Sequence, residues 1–293
     1  MSWWVIVNPS AGRGNEIRER AAAALAANDI DYQLHESSDP DDVSRLVAEG
    51  VAAEATHFVS VGGDGTAHLV VNALMEHDWE EPPTLAILPA GSGSDFIRTF
   101  ALPKRMEDAA EHLGSSDRYR CDLGVLEGEF GRRYFLNAAN VGVAAASASM
   151  AQRLPRWLGS LRYTAGFWLS LAGFKTAAVE ITAGRHSFSG EVINVVMANG
   201  QFFGGGLNVA PRAGVGDGLL DVQMFRGPRR LAFAVMPRVI TGTHLTHHAV
   251  QRWSVPTVEV SGPSSWPVEA DGEPIGSGSV RVSVLPGALW FKI

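Results

Sequence analysis

A short apolar run that ends at a glycine-rich turn constrains the fold of this chain more than any other feature. Residues 59–61 are apolar or small, and Gly62-Gly63-Asp64-Gly65-Thr66 follows at once. Apolar residues then recur at helical spacing, which predicts a strand, a turn and a helix with Thr66 as its N-cap. Glycines let the backbone approach an anion, the helix start supplies partial positive charge, and Asp64 is placed to hold a metal ion or water. The stretch predicts a phosphate site, with an ordinary strand-to-helix turn as the alternative.

The same unit recurs along the first hundred residues. Asn8-Pro9-Ser10-Ala11-Gly12 follows an apolar first strand, a strand at 32–36 leads to a helix opened by Asp39 and Pro40, and a strand at 84–89 runs into the loop 90–96. Strands that alternate with helices predict a parallel sheet covered by helices on both faces. Ligands of such sheets bind beyond the carboxyl ends of the strands, where all these loops lie, and the sequence therefore predicts a phosphate-binding edge.

Beyond about residue 120 the pattern changes to apolar alternation between turns. It predicts strands at 134–141, 179–183, 191–198, 219–225, 255–260 and 280–285, and helical segments at 146–174 and 229–240. In the strand at 219–225 we expect the apolar residues to face inward and Asp221 and Gln223 to face outward. The second half is therefore predicted to be a β-rich domain of two packed sheets.

Composition narrows the class of protein. Of 293 residues 46% are hydrophobic, and 24 basic against 31 acidic residues give a formal charge of -7, which argues against a nucleic-acid partner. A single cysteine, Cys121, precludes an internal disulfide and indicates a cytoplasmic protein. The first residues are typical of a strand rather than a signal peptide. His244, His247 and His248 lack an accompanying carboxylate or cysteine pattern, so we interpret them as solvated or capping residues.

Two acidic turns in the second half carry chemical possibilities. In the stretch from Gly214 to Leu219, glycines would let backbone carbonyls and Asp217 converge on a hard cation, and a plain hairpin turn is the alternative. In Asp271-Gly272-Glu273 the two carboxylates would reach one cleft as a base and its orienting partner, and an exposed hairpin tip is the alternative.

Several phosphate-binding motifs are absent. The chain has no Gly-x-x-x-x-Gly-Lys-Ser/Thr, which argues against a P-loop protein or a protein kinase. The Gly12-Arg13-Gly14 turn lacks the third glycine of the dinucleotide fingerprint, so a nicotinamide enzyme is a weak alternative. Phosphates would have to be held by backbone N–H groups, by Arg13 or Arg98, and by a cation.

Taken together, the turns resemble those of the diacylglycerol kinase catalytic family, in its soluble bacterial lipid-kinase branch. The similar stretches occur in the family's order and span nearly the whole chain: residues 8–12, 62–66, 91–96, 216–221 and 271–273. The glycine-aspartate turn alone is shared with NAD kinases and phosphofructokinases. Its combination with the first turn and the late Asp-Gly-Glu carries the resemblance.

The resemblance implies two domains. Residues 1–120, rejoined by 286–293, would form an α/β nucleotide-binding domain with an NAD-kinase-like parallel sheet, and residues 121–285 a β-sandwich domain for the lipid substrate, with the nucleotide in the cleft between the domains. The implied activity is ATP- and Mg²⁺-dependent phosphorylation of the hydroxyl of diacylglycerol or a related lipid alcohol.

The resemblance also implies roles for individual residues. Asp271 would be the general base with Glu273 beside it, and magnesium would fall on Asp217 and the carbonyls of Gly214 and Leu219. The residues implied to bind ATP are Asn8, Pro9, Ser10, Ala11, Gly12, Ser37, Gly62, Gly63, Asp64, Gly65, Thr66, Ala67, His68 and Ser92.

The chain departs from the family pattern at two places. Ser94 stands where an asparagine is usual, and the apolar stretch 143–146 stands where a further acidic residue is common, which predicts altered lipid selectivity. Two other functions therefore stay open: a kinase of a soluble substrate such as NAD, and a non-catalytic sensor that binds lipid and nucleotide.

An amphiphilic substrate also needs a route from a membrane. Trp157, Phe167, Trp168 and Phe174, beside several arginines, are compatible with an interfacial helix at the inner face of the membrane, or with a core helix whose arginines are solvated. A homodimer is left open.

Overall fold

A computed structural model describes residues 2–11, 16–91, 94–159 and 161–293, and for Arg156 the backbone alone. The chain divides into two compact units. Unit 1 comprises Met1–Cys121 and Gly287–Ile293, and unit 2 comprises Asp122–Pro286. Two long strands, β5 (Arg118–Gly128) and β15 (Val280–Lys292), carry the chain from one unit to the other. None of the described helices is long and apolar enough to cross a membrane.

Unit 1 is an α/β unit built on a parallel sheet. Its other strands are β1 (Ser2–Val7), β2 (Asp31–Glu36), β3 (His57–Gly62) and β4 (Thr84–Pro89), and its helices are α1 (Glu16–Ala27), α2 (Asp42–Ala52), α3 (Asp64–Leu74), α4 (Asp95–Thr99) and α5 (Met106–Ala110). The strand order is β2-β1-β3-β4, and the end of β15 continues the sheet in parallel beside β4. Central strands β3 and β4 are buried over nearly their whole length, which explains their continuous apolar runs.

Alternate residues of β1 pack against helices on opposite faces of this sheet. Trp3 belongs to the cluster that also contains Leu25 of α1 and Met106 of α5. On the other face the indole Nε1 of Trp4 donates to the carbonyl of Leu46 in α2 (2.9 Å). The predicted arrangement of a parallel sheet with helices on both faces is confirmed.

Two helices begin at residues other than those predicted. Helix α2 begins at Asp42 rather than directly after Asp39, whose carboxylate accepts from the N–H of Asp42 (3.0 Å). Helix α3 begins at Asp64 with Gly63 as its N-cap, so the prediction that Thr66 is the N-cap is wrong. The hydroxyl of Thr66 instead accepts from the side chain of Asn8 (3.0 Å), because the end of β1 lies beside the first turn of α3.

Unit 2 is mainly β-structure. Its further strands are β6 (Gly131–Phe135), β7 (Ala138–Gly142), β8 (Ala177–Ala183), β9 (His186–Ala198), β10 (Leu220–Arg226), β11 (Val250–Val255), β12 (Thr257–Ser261), β13 (Pro267–Ala270) and β14 (Glu273–Ser277), and its helices are α6 (Val143–Arg153), α7 (Leu161–Gly173) and α8 (Ala232–Ile240). Strand β9 joins the ladders, because its first half pairs with β8 and its second half with both β7 and β10. Side chains from most of these strands meet in one core that contains Phe135, Met197, Val222, Trp266 and Val282.

The structure refines several predicted segments of unit 2. The strand predicted at 134–141 is two strands, and that predicted at 255–260 is divided at Pro256, which has no N–H to donate to a ladder. The helical segment predicted at 146–174 is two helices, α6 and α7.

The prediction that Asp221 and Gln223 face outward is wrong. Their exposed fractions are 2% and 0%. Each has a partner supplied from elsewhere in the chain: Arg252, which is half-buried, contacts Asp221 at 2.5 Å, and Nε2 of His244 lies 2.9 Å from Oε1 of Gln223. His244 is itself fully buried, so its interpretation as a solvated residue is also wrong.

Candidate functional site

The carboxyl edge of the unit 1 sheet brings together the loops that the sequence singled out. Asn8 follows β1, and its side chain donates to Thr66 Oγ1 at the start of α3 (3.0 Å) and accepts from the N–H of Ser10 (2.9 Å). Ser37 follows β2, and its N–H donates to the carbonyl of Val7 (3.0 Å). Three loops from different parts of the chain are therefore held at one edge.

Two glycines allow the segments at this edge to pack closely against one another. A Cβ on Gly62 would lie 2.3 Å from Thr66 Oγ1, and a Cβ on Gly91 would lie 2.8 Å from the Cα of Gly63. A side chain at Gly62 would collide with Thr66 in the first turn of α3, and a side chain at Gly91 would push the loop after β4 away from the end of β3. The glycines keep the backbone accessible beside the first turn of α3, and a helix N-terminus of this kind favours an anion.

Asp64 forms hydrogen bonds that the amino-acid sequence did not indicate. Its carboxylate accepts from the backbone N–H groups of Ser94 (2.6 Å), Asp95 (2.8 Å) and Phe96 (3.4 Å), at the start of α4. These charge-assisted bonds fix the loop after β4 against α3. Because they offset the charge of the carboxylate, the edge remains suitable for a phosphate.

The remaining residues that were predicted to bind the nucleotide fall into three groups. Pro9 and Ala11 lie in a short 3₁₀ turn after β1, and Gly65 lies in the first turn of α3. Ala67 and His68 are buried within α3. Gly12 and Ser92 lie outside the described residues. The described ones share one edge rich in backbone donors, so they fit a nucleotide phosphate.

The turn that carries Asp271 is a two-residue hairpin between β13 and β14. Asp271 and Gly272 both have positive φ (51° and 85°), as a type I′ hairpin turn requires. The carboxylate of Asp271 accepts from the N–H groups of Leu136 (2.9 Å), Asn137 (2.8 Å) and Ala138 (3.2 Å). Asp271 therefore holds the connection between β6 and β7, whereas Glu273 beside it accepts from the side chain of Gln152 (3.0 Å).

Behind this turn lies a buried polar chain that the sequence reasoning missed. Glu269, 3% exposed, accepts from the N–H of Gly272 (2.6 Å) and from the side-chain amide of Asn140. Oδ1 of Asn140 in turn accepts from Nδ2 of Asn194 (3.1 Å). Oδ1 of Asn194 accepts from the backbone N–H of Ala144 (2.9 Å). Burial, above all other causes, raises the pKa of Glu269 to about 8, so its carboxyl group is mostly protonated at neutral pH.

The far end of this polar chain reaches an apolar cavity of about 100 Å³ within unit 2. Side chains of α7 and α8 form much of its wall, including Phe167, Leu171, Val235 and Met236. Ala144 and Asn194, the last members of the polar chain, also line it. The cavity is therefore apolar, and hydrogen bonds connect one of its lining residues, Asn194, to the Asp271 turn.

The candidate cation site is compact. A Cβ on Gly214 would lie 2.8 Å from Oδ2 of Asp217, and Oδ1 of Asp217 accepts from the N–H of Leu219 (3.0 Å), so the three predicted residues form one turn. Burial, and to a smaller extent the charges of Asp122 and Asp221, raise the pKa of Asp217. A cation would relieve this repulsion, so the residues fit Mg²⁺. No group of three His, Cys, Asp or Glu side chains suited to a metal occurs among the described residues, so carbonyls and water would complete the shell.

Comparison with known families covers almost the entire chain. Residues 2–126 match the diacylglycerol kinase catalytic domain, and residues 137–292 match the YegS C-terminal NAD kinase β-sandwich-like domain. The fold expected from the sequence, an α/β domain with parallel strands followed by a β-sandwich-like domain, is confirmed.

Individual relatives agree with these matches. A probable lipid kinase YegS-like of Pseudomonas aeruginosa (strain UCBPP-PA14) is 31% identical over 94% of this chain and 89% of the relative, and one of Pseudomonas fluorescens is 29% identical over 97% and 93%. Two crystal structures from Bacillus anthracis str. Sterne have a similar fold, each covering 99% of this chain and 96% of the other: one has a TM-score of 0.81 at 22% identity, and the second, of a diacylglycerol kinase, 0.73 at 19%. The chain therefore belongs to the diacylglycerol kinase catalytic-domain family and carries the YegS-type C-terminal domain.

Proposed function

We propose that this protein is an ATP-dependent lipid kinase that phosphorylates the hydroxyl group of diacylglycerol or a related lipid alcohol. Family membership supports phosphoryl transfer to a lipid, and the fit of the unit 1 edge to a phosphate supports ATP as the donor. One observation carries the choice of a lipid acceptor: the apolar cavity of unit 2, whose lining residue Asn194 is connected by hydrogen bonds to the turn of Asp271.

The geometry of unit 2 supports a specific pose of the acceptor. A hydrocarbon segment would fill the body of the cavity, because seventeen of the nineteen lining residues that the structure describes are apolar. The polar part of the lipid would lie toward Asn194 and Ala144, and its hydroxyl group would extend toward the hairpin of Asp271.

In the proposed reaction the lipid hydroxyl oxygen forms a bond to the γ-phosphorus of ATP. The bond to the bridging oxygen breaks, ADP leaves, and Asp271 accepts the hydroxyl proton. The three N–H bonds to Asp271 fix its carboxylate, and Glu269 fixes the neighbouring Gly272. Magnesium, held by Asp217 and the carbonyls of Gly214 and Leu219, would neutralise charge on the reacting phosphates.

The test is transfer of label from γ-labelled ATP, with Mg²⁺, to a panel of diacylglycerol, monoacylglycerol, sphingosine, phosphatidylglycerol and NAD. We expect labelled diacylglycerol or monoacylglycerol with the wild type, and a loss of at least a hundredfold in kcat with Asp271→Asn. Asp29→Asn is the matched control, because Asp29 also has a positive φ (53°) but lies on an exposed turn of unit 1. Bound lipid is measured in parallel, since Asp271→Asn also disturbs three backbone hydrogen bonds.

The outcomes separate the three functions. Transfer to lipid that falls in Asp271→Asn while lipid binding persists supports the kinase and the base. Loss of both transfer and binding contradicts the role of Asp271 as base and leaves it a structural residue. Label on NAD identifies a kinase of a soluble substrate, and ATP and lipid binding without transfer identifies a sensor.

We further propose that α7, α8 and the segment before α7 contact an anionic membrane surface. Trp157 and Leu161 are exposed by 83% and 65%, and Phe233 and Ile240 of α8 by 67% and 60%. Residues 130–179 and 222–258, which include all three elements, contain no Asp or Glu, although the whole chain has a formal charge of -7. Exposed apolar side chains among arginines suit the interface of a bilayer that contains acidic lipids.

Vesicle co-sedimentation tests this contact. The double variant Trp157→Ser, Leu161→Ser is expected to lose most binding to phosphatidylglycerol-containing vesicles, whereas Leu285→Ser, a change at an exposed leucine of β15, is expected to keep it. Unchanged binding of the double variant would contradict the proposal. If the double variant instead converts a homodimer into a monomer in sedimentation velocity, the face is an interface between two copies.

A further inference from the structure

Both ends of the buried polar chain are backbone N–H groups, which fixes the direction of every hydrogen bond between them. At one end the N–H of Ala144, in the first turn of α6, donates to Oδ1 of Asn194 (2.9 Å). At the other end the N–H of Gly272 donates to Oε2 of Glu269 (2.6 Å). A backbone N–H can donate but cannot accept. The side chains in the middle must therefore accept from both directions.

Only a carboxyl group can join two donors that face each other. A side-chain amide accepts with its oxygen and donates with its nitrogen, so each asparagine passes the direction on. Nδ2 of Asn194 donates to Oδ1 of Asn140 (3.1 Å), and Nδ2 of Asn140 donates to Oε1 of Glu269. With an amide at all three positions, one donor would face another. The chain therefore requires one carboxyl group, and Glu269 supplies it.

Helix α6 is attached to the hairpin of Asp271 at two points. The polar chain connects the hairpin to the first turn of the helix, and near the other end of the helix Nε2 of Gln152 donates to Oε2 of Glu273 (3.0 Å). The side chains of the polar chain are buried, so a bond lost there is not replaced by a bond to solvent.

The bond to Gly272 acts on the backbone of Asp271. The donating N–H belongs to the peptide that joins Asp271 to Gly272, and Asp271 has a φ of 51°, which residues with a Cβ rarely adopt. A hairpin released from Glu269 would relax toward a more favourable backbone conformation and shift the Asp271 side chain. Misplacement of a reacting group by about 1 Å can slow a reaction by about a hundredfold.

We propose that Glu269 is a positioning residue for the general base. Its carboxyl group accepts from both directions of the polar chain and so holds the hairpin of Asp271 in the geometry that phosphoryl transfer needs. The inference rests on the proposed kinase function, with Asp271 as base, and adds a residue to its machinery. The role belongs to the hydrogen bonds of the chain and not to a carboxyl group at position 269 as such.

This distinction provides the test, because the carboxyl group can be moved. Glu269→Gln leaves the chain with three amides and one donor facing another. In the double variant Glu269→Gln, Asn140→Asp, the aspartate at position 140 accepts from Asn194 and from the new glutamine amide, whose oxygen accepts from Gly272. Every donor is then satisfied in a chain of nearly the same shape. Glu269→Gln, Asn194→Asp satisfies the same donors and replaces the first double variant if that one shows no cooperative thermal transition.

The control is Glu191→Gln, the same substitution at an exposed glutamate of β9 that accepts from Thr176 Oγ1 (3.2 Å). Two quantities are measured at a temperature where all variants are folded. The first is kcat and KM with γ-labelled ATP, Mg²⁺ and dioctanoylglycerol. The second is hydrogen exchange of the Gly272 amide by NMR, without ATP or lipid.

We expect Glu269→Gln to lower kcat by about tenfold to a hundredfold, to change both KM values by less than about threefold, and to speed exchange of the Gly272 amide by about tenfold or more. The double variant is expected to return kcat and the exchange rate to within about threefold of the wild type. Glu191→Gln is expected to match the wild type in both assays. If Glu269→Gln alone does not fold, a double variant that folds and has wild-type kcat supports the proposal, and one that folds without activity overturns it.

The remaining outcomes contradict the proposal in different ways. Restored exchange without restored kcat would overturn it, because the carboxyl group would then act from position 269 itself. Unchanged kcat in Glu269→Gln would also overturn it, as would a loss that lies entirely in KM. Failure of the kinase function is distinguishable, because the wild type would then transfer label to no lipid, whereas failure of the positioning role appears only in a comparison with an active wild type.

Discussion

Replacement of Glu269 by glutamine tests the electrostatics of the buried polar chain. Glu269 is 3% exposed, and burial raises the pKa of its carboxyl group from an ordinary value of 4.5 to about 8. Glutamine has nearly the same shape and cannot ionise. The variant therefore removes the proton equilibrium while leaving the volume of the site unchanged.

The sign and size of the effect follow from proton linkage. Because the folded-state pKa is higher than the unfolded-state pKa, the native protein holds the extra proton between pH 4.5 and about 8. The stabilisation from this group is complete below that range and is lost as the pH rises through it. The full shift corresponds to roughly 5 kcal/mol, of which roughly 3 kcal/mol falls between about pH 5.5 and about pH 8.5.

The assay is urea unfolding of the wild type and Glu269→Gln at several values across that interval. The difference between the two proteins in free energy of unfolding cancels the titration of all other groups, and we expect the wild type to lose roughly 3 kcal/mol relative to the variant. At the acidic end the variant is expected to be less stable by about 1 kcal/mol, since one face of its amide presents an NH₂ group to the donor of Gly272 or Asn140. Parallel pH profiles for the two proteins would refute the assignment of a protonated Glu269.

Three further substitutions test other contacts. Asp64→Asn presents an amide NH₂ to the N–H groups of the 94–96 loop and is expected to destabilise the protein by about 1.5–3 kcal/mol in urea unfolding; an unchanged midpoint would contradict the role of Asp64 in fixing that loop. Arg252→Met leaves the buried Asp221 without its cation and is expected to lower the free energy of unfolding by about 3–5 kcal/mol. Adding Asp221→Leu to the same chain is expected to restore part of that loss. Asp217→Asn is expected to raise the melting temperature without Mg²⁺, because burial and like charges disfavour the charged carboxylate, and to weaken Mg²⁺ binding in calorimetry by at least tenfold; equal Mg²⁺ affinity would place the cation elsewhere.

Much of unit 1 was predictable because its signals are local. The apolar runs of β1, β3 and β4 are buried strands, and the polar loops after them do meet at one edge. What each acid in these loops contacts was not predictable. Asp64 bonds to residues 30–32 positions away, and Asp271 to residues 133–135 positions away, so neither spacing nor periodicity reports the partner. The burial of Asp221 likewise depends on Arg252, which lies 31 positions later in the sequence.

The residues around the unit 2 cavity show that the sequence of an apolar helix does not reveal which of its side chains are buried and which are exposed. Phe167 lines the cavity, Trp168 stacks on Phe233 at a centroid separation of 4.9 Å, and Trp157 is 83% exposed, so one aromatic segment serves three environments that hydrophobic spacing cannot distinguish. Polar residues isolated in apolar strands are more informative. Glu269 in β13, Asn140 in β7 and Asn194 in β9 each interrupt a run that would otherwise be buried without cost. Because burial of a polar group demands a partner, three such interruptions in strands that pair with one another predict a polar network, and Asn194 marks where that network reaches the cavity.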